Sequence, residues 1–179
     1  VQTCALPIFF PHHENEIAQS EGATGRPFAR FWVHVEYLLV DDKKMSKSLG
    51  NTYTVPDIIA RGHRPSAVRY LLLSGHYRKQ LNFTWASLAQ AEEALRRLSD
   101  CLARLDAVAT PGEHPDVAAR VAAAVEDFSA AIQADLNTPG ALGAVFELVR
   151  ALNAAIDAGG LGTGDLPGVR QAFDLFDRV

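Results

Sequence analysis

Val40-Asp41-Asp42-Lys43-Lys44-Met45-Ser46-Lys47-Ser48-Leu49-Gly50-Asn51-Thr52 is the stretch on which the reading of this chain turns. It sets two lysines, Lys44 and Lys47, three positions apart. Hydroxyl residues Ser46 and Ser48 sit beside them, and a Gly50-Asn51 turn follows. Such a loop can place ammonium groups against a triphosphate while still bending around it. Lysine-serine loops also occur as plain solvated connectors, but the pentapeptide with Leu49-Gly50-Asn51 behind it favours phosphate. In that reading Met45 anchors the loop on apolar surface, and Ser46 and Ser48 bond backbone or phosphate.

Upstream lies Phe10-Pro11-His12-His13-Glu14-Asn15-Glu16-Ile17-Ala18-Gln19-Ser20-Glu21. Pro11 suits a helix start and the pattern through Ala23 is helix-compatible, so His12 and Glu16, four apart, project from one face. That is metal-ligand spacing, because zinc accepts both imidazole nitrogen and carboxylate oxygen. An ordinary exposed polar face explains the same spacing. His13, Glu14 and Asn15 read as supporting or surface groups.

Taken together, the two segments resemble the cysteinyl-tRNA synthetases, a family of class I aminoacyl-tRNA synthetases. The resemblance is very specific up to Asn51, continues through Tyr70-Leu71-Leu72-Leu73-Ser74-Gly75-His76-Tyr77-Arg78, and returns at Asp135-Leu136-Asn137-Thr138-Pro139. It implies a mainly α fold with a small α/β remnant: the C-terminal part of a Rossmann-type catalytic domain followed by a helical bundle. The implied activity is ATP-dependent activation of cysteine to cysteinyl-adenylate and its transfer to tRNA(Cys), with Mg2+ beside the ATP. Lys47 is expected to contact phosphate as charge develops there, with Lys44 assisting and Met45, Ser46 and Ser48 completing the ATP loop. His12 and Glu16 carry over as zinc ligands, the remaining ligands being absent from the chain.

The family's His-Ile-Gly-His motif does not occur in the 179 residues. The chain therefore reads as a fragment that lacks the N-terminal half of the catalytic domain and the anticodon-reading end, and that is inactive alone. The related ligase that joins cysteine to an amino-sugar inositol shares the loop, but Glu14-Asn15-Glu16-Ile17-Ala18-Gln19-Ser20 favours the synthetase. A catalytically inactive tRNA-binding module is the other alternative.

A hydrophobic share of 48% and a charged share of 21% are ordinary globular usage. No apolar run reads as long enough to cross a bilayer and no signal sequence opens the chain, so no membrane partner is expected and the cytoplasm is the default. The net charge of -4 argues against a uniformly basic nucleic-acid surface. Arg61, His63, Arg64, Arg69, Arg78 and Lys79 nevertheless form a candidate local patch. Cys4 and Cys101 make no disulfide framework.

Phe28 to Val40 alternates loosely and predicts a strand, or a short helix then a strand, delivering the loop; Trp32 reads as core and His34 as a half-buried packing histidine or a group near the ligand. Helices are predicted from Pro56 to Gly62, from Pro65, and from Trp85 to Ala107, the last with a Leu88, Leu95, Leu98, Leu102, Leu105 stripe and Cys101 on or near it. Residues 109–115 read as a linker. Two further stripes follow, Val117, Val121, Val125, Phe128, Ile132 and Leu142, Val145, Leu148, Leu152, Ile156, then a loop at Gly159 to Gly164 and a helix from Val169. Asn137 or Thr138 before Pro139 reads as a helix cap, favoured over a direct tRNA contact by Asp135 to Pro139. These elements group as a catalytic part over 9–84 and a bundle over 85–179.

Val1 to Ile8 does not fit the family pattern and matches a reading frame through a sequencing adapter; it is expected to be artefactual. A genomic read that continues the family pattern upstream of Phe10 is the expected finding, and recovery of Val1 to Ile8 inside an intact gene would overturn it.

Overall fold

The computed structural model describes residues 9–178. The expectation for Val1 to Ile8, Cys4 included, lies outside the described residues. A π-helical turn, Phe9–His13, leads into α1, Glu14–Thr24, which ends at left-handed Gly25. Pro11 thus sits inside a wider helical turn and does not open the α-helix. After α1 the chain runs without repetitive structure to β1, Leu38–Val40. The predicted strand from Phe28 is therefore much shorter than its alternation suggested. Over Phe31 to Glu36 the backbone bond found is from Glu36 N–H to the Tyr77 carbonyl, 2.8 Å. Alternation marks a strand only where a neighbouring strand supplies the ladder.

β1 turns through Asp41 and Asp42, both left-handed at φ 49° and 59°, into β2, Lys43–Lys44, which runs antiparallel to it. On its other side β1 pairs in parallel with β3, Leu81–Phe83, aligning Leu38 with Leu81 and Val40 with Phe83. The crossover between the strands carries α2, Val55–Ala60, and α3, Pro65–Leu73. Reciprocal bonds between Thr54 and Asp57 cap α2, as the Thr-Val-Pro-Asp sequence leads one to expect. Val40, Ile58, Ala67, Leu71, Phe83, Leu88 and Ala91 form the core beneath this sheet.

Thr84 caps α4, Trp85–Asp106, in a second capping box. This helix belongs to two cores: Leu88 and Ala91 to the sheet core, Cys101 and Leu105 to the bundle core. Leu88, Cys101 and Leu105 of the predicted stripe are buried and Leu95 and Leu98 pack against the cores, whereas Leu102 is exposed. α5, Pro115–Gln133, α6, Thr138–Asp157, and α7, Leu166–Asp177, complete the bundle. Asn137 is the α6 cap, its side-chain oxygen accepting from Gly140 N–H at 3.1 Å. α6 buries Ala141, Ala144, Val145, Leu148, Val149 and Leu152, a face wider than the leucine stripe because small alanines let α5 approach closely. By length and composition α6 could cross a membrane, which amends the sequence reading; its apolar face is instead spent on the bundle core, with Glu147 and Arg150 paired at 2.7 Å on its exposed side.

The 109–115 stretch is pinned to the α6–α7 loop. Thr163 N–H donates to the Thr110 carbonyl and Gly164 N–H to the Gly112 carbonyl. Gly162 must be glycine here, since a Cβ would stand 2.5 Å from the Gly112 oxygen. Asp165 is the lock, its carboxylate accepting from Gly162 N–H (2.8 Å), His114 N–H (2.7 Å) and His114 Nδ1 (2.8 Å). Burial pushes the Asp165 carboxyl up, but these bonds together outweigh it and hold the group below its ordinary 3.8. A depressed folded-state pKa gives stability that is complete above 3.8 and is lost as pH falls through the folded value. Asp165→Asn is expected to cost about 1–3 kcal/mol at pH 7 and to flatten the acid side of the stability curve, measured by urea unfolding from pH 7 to pH 2. Parallel curves for the two proteins would refute the assignment.

Candidate functional site: the lysine loop

The loop hangs from the β1–β2 hairpin, and each end is fixed by chemistry the sequence encodes locally. Left-handed backbone suits Asp better than most side chains. The Asp41-Asp42 turn is further tied to β3: Asp41 N–H donates to the Phe83 carbonyl at 3.1 Å, and Asp42 exchanges two bonds with the Asn82 amide at 3.0 and 2.8 Å. Met45 is half-buried against the sheet core together with Tyr53, the anchoring expected of it. Ser46 caps a short 3-10 turn, Lys47–Leu49, its hydroxyl accepting from Leu49 N–H at 3.3 Å. Gly50, at φ 63°, ends that turn and returns its N–H to the Lys47 carbonyl.

Asn51 closes the loop. Its side-chain oxygen accepts from Ser46 N–H at 2.8 Å while its amide nitrogen donates to the Lys44 carbonyl at 3.2 Å. One side chain thus clamps both flanks of Met45. Sequence reading saw Asn51 only as half of a turn; the signal available was an amide, which can donate and accept at once.

The two lysines are in different situations. Lys44 Nζ lies 4.7 Å from the centroid of the Tyr37 ring, a cation–π contact that parks it on the hairpin. Lys47 sits at the loop tip, exposed, with no ion pair or hydrogen bond to its ammonium among the described residues. Ser48 Oγ lies 3.2 Å from Ser46 Oγ. The result is a firm scaffold presenting one unneutralised ammonium and two hydroxyls to solvent, an arrangement suited to an anionic ligand arriving from outside.

His12 and Glu16 are both exposed. His12 lies in the π-helical turn and Glu16 in α1, and no group of three or more His, Cys, Asp or Glu that could hold a metal occurs among the described residues. His13, read as a supporting or surface group, is buried at 2% exposure and stacks on Trp32 at 4.5 Å, with His34 at 4.9 Å. Trp32 is accordingly not a core residue: it is 39% exposed and forms one wall of a small aromatic group with Phe28. The hydrophobic value of the indole suggested a core, but the segment that carries it lies outside both cores.

The candidate basic patch is partly neutralised. Arg61 lies over the Trp85 ring at 4.2 Å, and His63 meets Glu92 at 3.2 Å. Arg64 N–H also donates to Glu92, which with His63 lowers the Glu92 carboxyl. Arg78 pairs with Asp135 at 2.8 Å. Arg69 and Lys79 remain exposed. Cys101 is buried, and that burial raises its thiol pKa.

A family model described as the tRNA synthetases class I (C) catalytic domain matches residues 3–93, and one described as the DALR domain matches residues 127–176. A protein named cysteine–tRNA ligase from Koribacter versatilis is 46% identical over 173 residues, covering 96% of this chain and 35% of the relative. Relatives of the same name from Chlamydia trachomatis (48% over 150 residues, 83% of this chain, 31% of theirs) and Opitutus terrae (55% over 149 residues, 83% and 30%) agree. The chain thus spans about a third of the length of these curated relatives. Among solved structures, a ternary complex of LeuRS, tRNA and LeuAMS from Agrobacterium radiobacter has a TM-score of 0.51 at 23% identity, covering 74% of this chain and 18% of that one. That likeness concerns the fold alone. With a lysine loop built on a β1–β2 hairpin and a family match over half its length, the chain belongs to the class I (C) tRNA synthetase catalytic-domain family.

Proposed function

We propose that this chain supplies the phosphate-binding lysine loop and the adjoining helices of a cysteine–tRNA ligase, which joins cysteine to tRNA(Cys) at the expense of ATP. The observation that carries this reading is Lys47, an ammonium without a partner among the described residues, at the tip of a loop held by Asn51, Met45 and the Ser46 cap. In the reaction the cysteine carboxylate attacks the α-phosphate of ATP and pyrophosphate leaves with its bonding electrons. Negative charge grows on the leaving phosphates, and a positioned ammonium lowers the barrier by the interaction it gains at that stage. A hydroxyl of the tRNA's terminal ribose then attacks the cysteinyl carbonyl of the adenylate, forming the ester as the acyl–phosphate bond breaks and AMP leaves. Lys44, held over Tyr37, is the assisting charge, and Mg2+ accompanies the triphosphate. The place of the reaction is the cytoplasm.

Zinc belongs to this reading only in part. His12 and Glu16 are two exposed donors, and a structural or catalytic site takes at least three protein ligands. The remaining donors must come from outside the described residues, so no step is assigned to the metal.

Purified chain 1–179 is expected to show no cysteine-dependent ATP–pyrophosphate exchange. Residues 10–179, grafted in place of the matching segment of the Koribacter versatilis enzyme, are expected to support exchange, and Lys47→Ala in that chimera to lower kcat about 100- to 1000-fold. Exchange unaffected by Lys47→Ala would sink the proposal. Asn51→Ala removes both clamps on the loop, and is expected to speed amide hydrogen exchange at Ser46 by about 5- to 10-fold, read by NMR; unchanged protection there would show that the clamp is idle.

A further inference from the structure

Asp135 occupies the turn between α5 and α6 at φ 58°, and Leu136 follows at φ 53°. A glycine adopts that backbone without strain and is the least costly residue for it. The carboxylate, however, reaches a different part of the molecule. Its Oδ1 accepts from the Tyr77 hydroxyl at 2.6 Å and from Arg78 NH2 at 3.2 Å, and its Oδ2 lies 2.8 Å from Arg78 Nε and 4.0 Å from His76 Nε2. Arg78 Nε also donates to the Tyr77 hydroxyl at 2.9 Å, and His76 stacks on Tyr77. The His76-Tyr77-Arg78 segment follows α3 on the sheet unit, and its Tyr77 carbonyl accepts from Glu36 N–H. One turn of the bundle is therefore wired to the segment that leads into the lysine-loop hairpin.

The mechanical need for such a tie follows from α4. This helix contributes Leu88 and Ala91 to one core and Cys101 and Leu105 to the other, and so runs from one to the other. A helix shared in this way fixes the separation of the two cores but leaves rotation about its own axis to the contacts beside it. Beside it, the links from α6 to the sheet unit include one aromatic edge contact, Tyr70 on Phe146 at 6.1 Å, with Arg97 over the same Phe146 ring. We infer that Asp135, bound to Tyr77 and Arg78, is a positioning residue that sets the rotation of the α5–α6 hairpin about α4 relative to the unit bearing the lysine loop. On the function proposed above, this fixes where tRNA bound by the helices presents its end to the loop.

Two readouts separate the positioning role from that function. Nitroxide labels at Ala60→Cys on α2 and Ala123→Cys on α5, in the chain with Cys4→Ser, are expected to give one narrow distance distribution by pulsed electron resonance. Asp135→Gly, which relieves the backbone, and Tyr77→Phe with Arg78→Ala, which leaves the turn untouched, are each expected to broaden it at unchanged helix content. A narrow, unshifted distribution in the Tyr77→Phe, Arg78→Ala protein overturns the inference, whatever happens to Asp135→Gly. In the chimera, Asp135→Gly is expected to raise the KM for tRNA about tenfold and to leave ATP–pyrophosphate exchange unchanged. Loss of exchange in the parent chimera would count against the proposed function and leave the distance test standing.

Discussion

The parallel pairing of β1 with β3 is the constraint from which most of this structure follows. Three residue pairs align, and they bring Val40 and Phe83 together at the floor of the sheet core, both at or below 5% exposure. The hairpin that bears Lys44 grows from the free edge of β1. On the other side, the residue after β3 caps the helix that enters the bundle. Parallel strands need a crossover, and here the crossover contains the lysine loop itself along with α2 and α3. The loop is thus a constituent of the connection that closes the sheet, so its two ends are positioned by the same packing that makes the core.

Firmness at the ends and freedom at the tip divide the loop's work. Met45 and Asn51 commit the backbone before any ligand is present, so little ordering remains to oppose binding. Lys47 keeps its charge uncompensated, which costs nothing in water and becomes useful where an anion displaces that water.

What could be read in the sequence was whatever depends on neighbours within a few residues. Helix starts beside Pro56, Pro65 and Pro139 were legible because caps and prolines act locally, and the leucine and valine stripes gave the long helices. The lysine loop was legible for the same reason, down to the anchoring of Met45. Pairings distant along the chain were not. Asp42 with Asn82, Asp165 with His114 and Asp135 with Tyr77 and Arg78 join residues some 40 to 58 positions apart, and nothing in local pattern selects one aspartate for such a role over another. The extended stretch before β1 failed in the opposite sense: its alternation was sound, but a strand is a relation to a partner, and Trp32 and His13 found each other instead.

Cys101 carries a consequence of another kind. Its sulfur lies at 0% exposure in the middle of the bundle core, on the helix that serves both cores. A thiol so enclosed reacts only when the helices part, and while they are packed burial raises its pKa and disfavours the reactive thiolate. Its rate of modification by a soluble disulfide, under conditions where the fold is intact, therefore measures how often the bundle opens. With Cys4 replaced by serine, the protein carries its own gauge of breathing, with no reporter group added and no denaturant required.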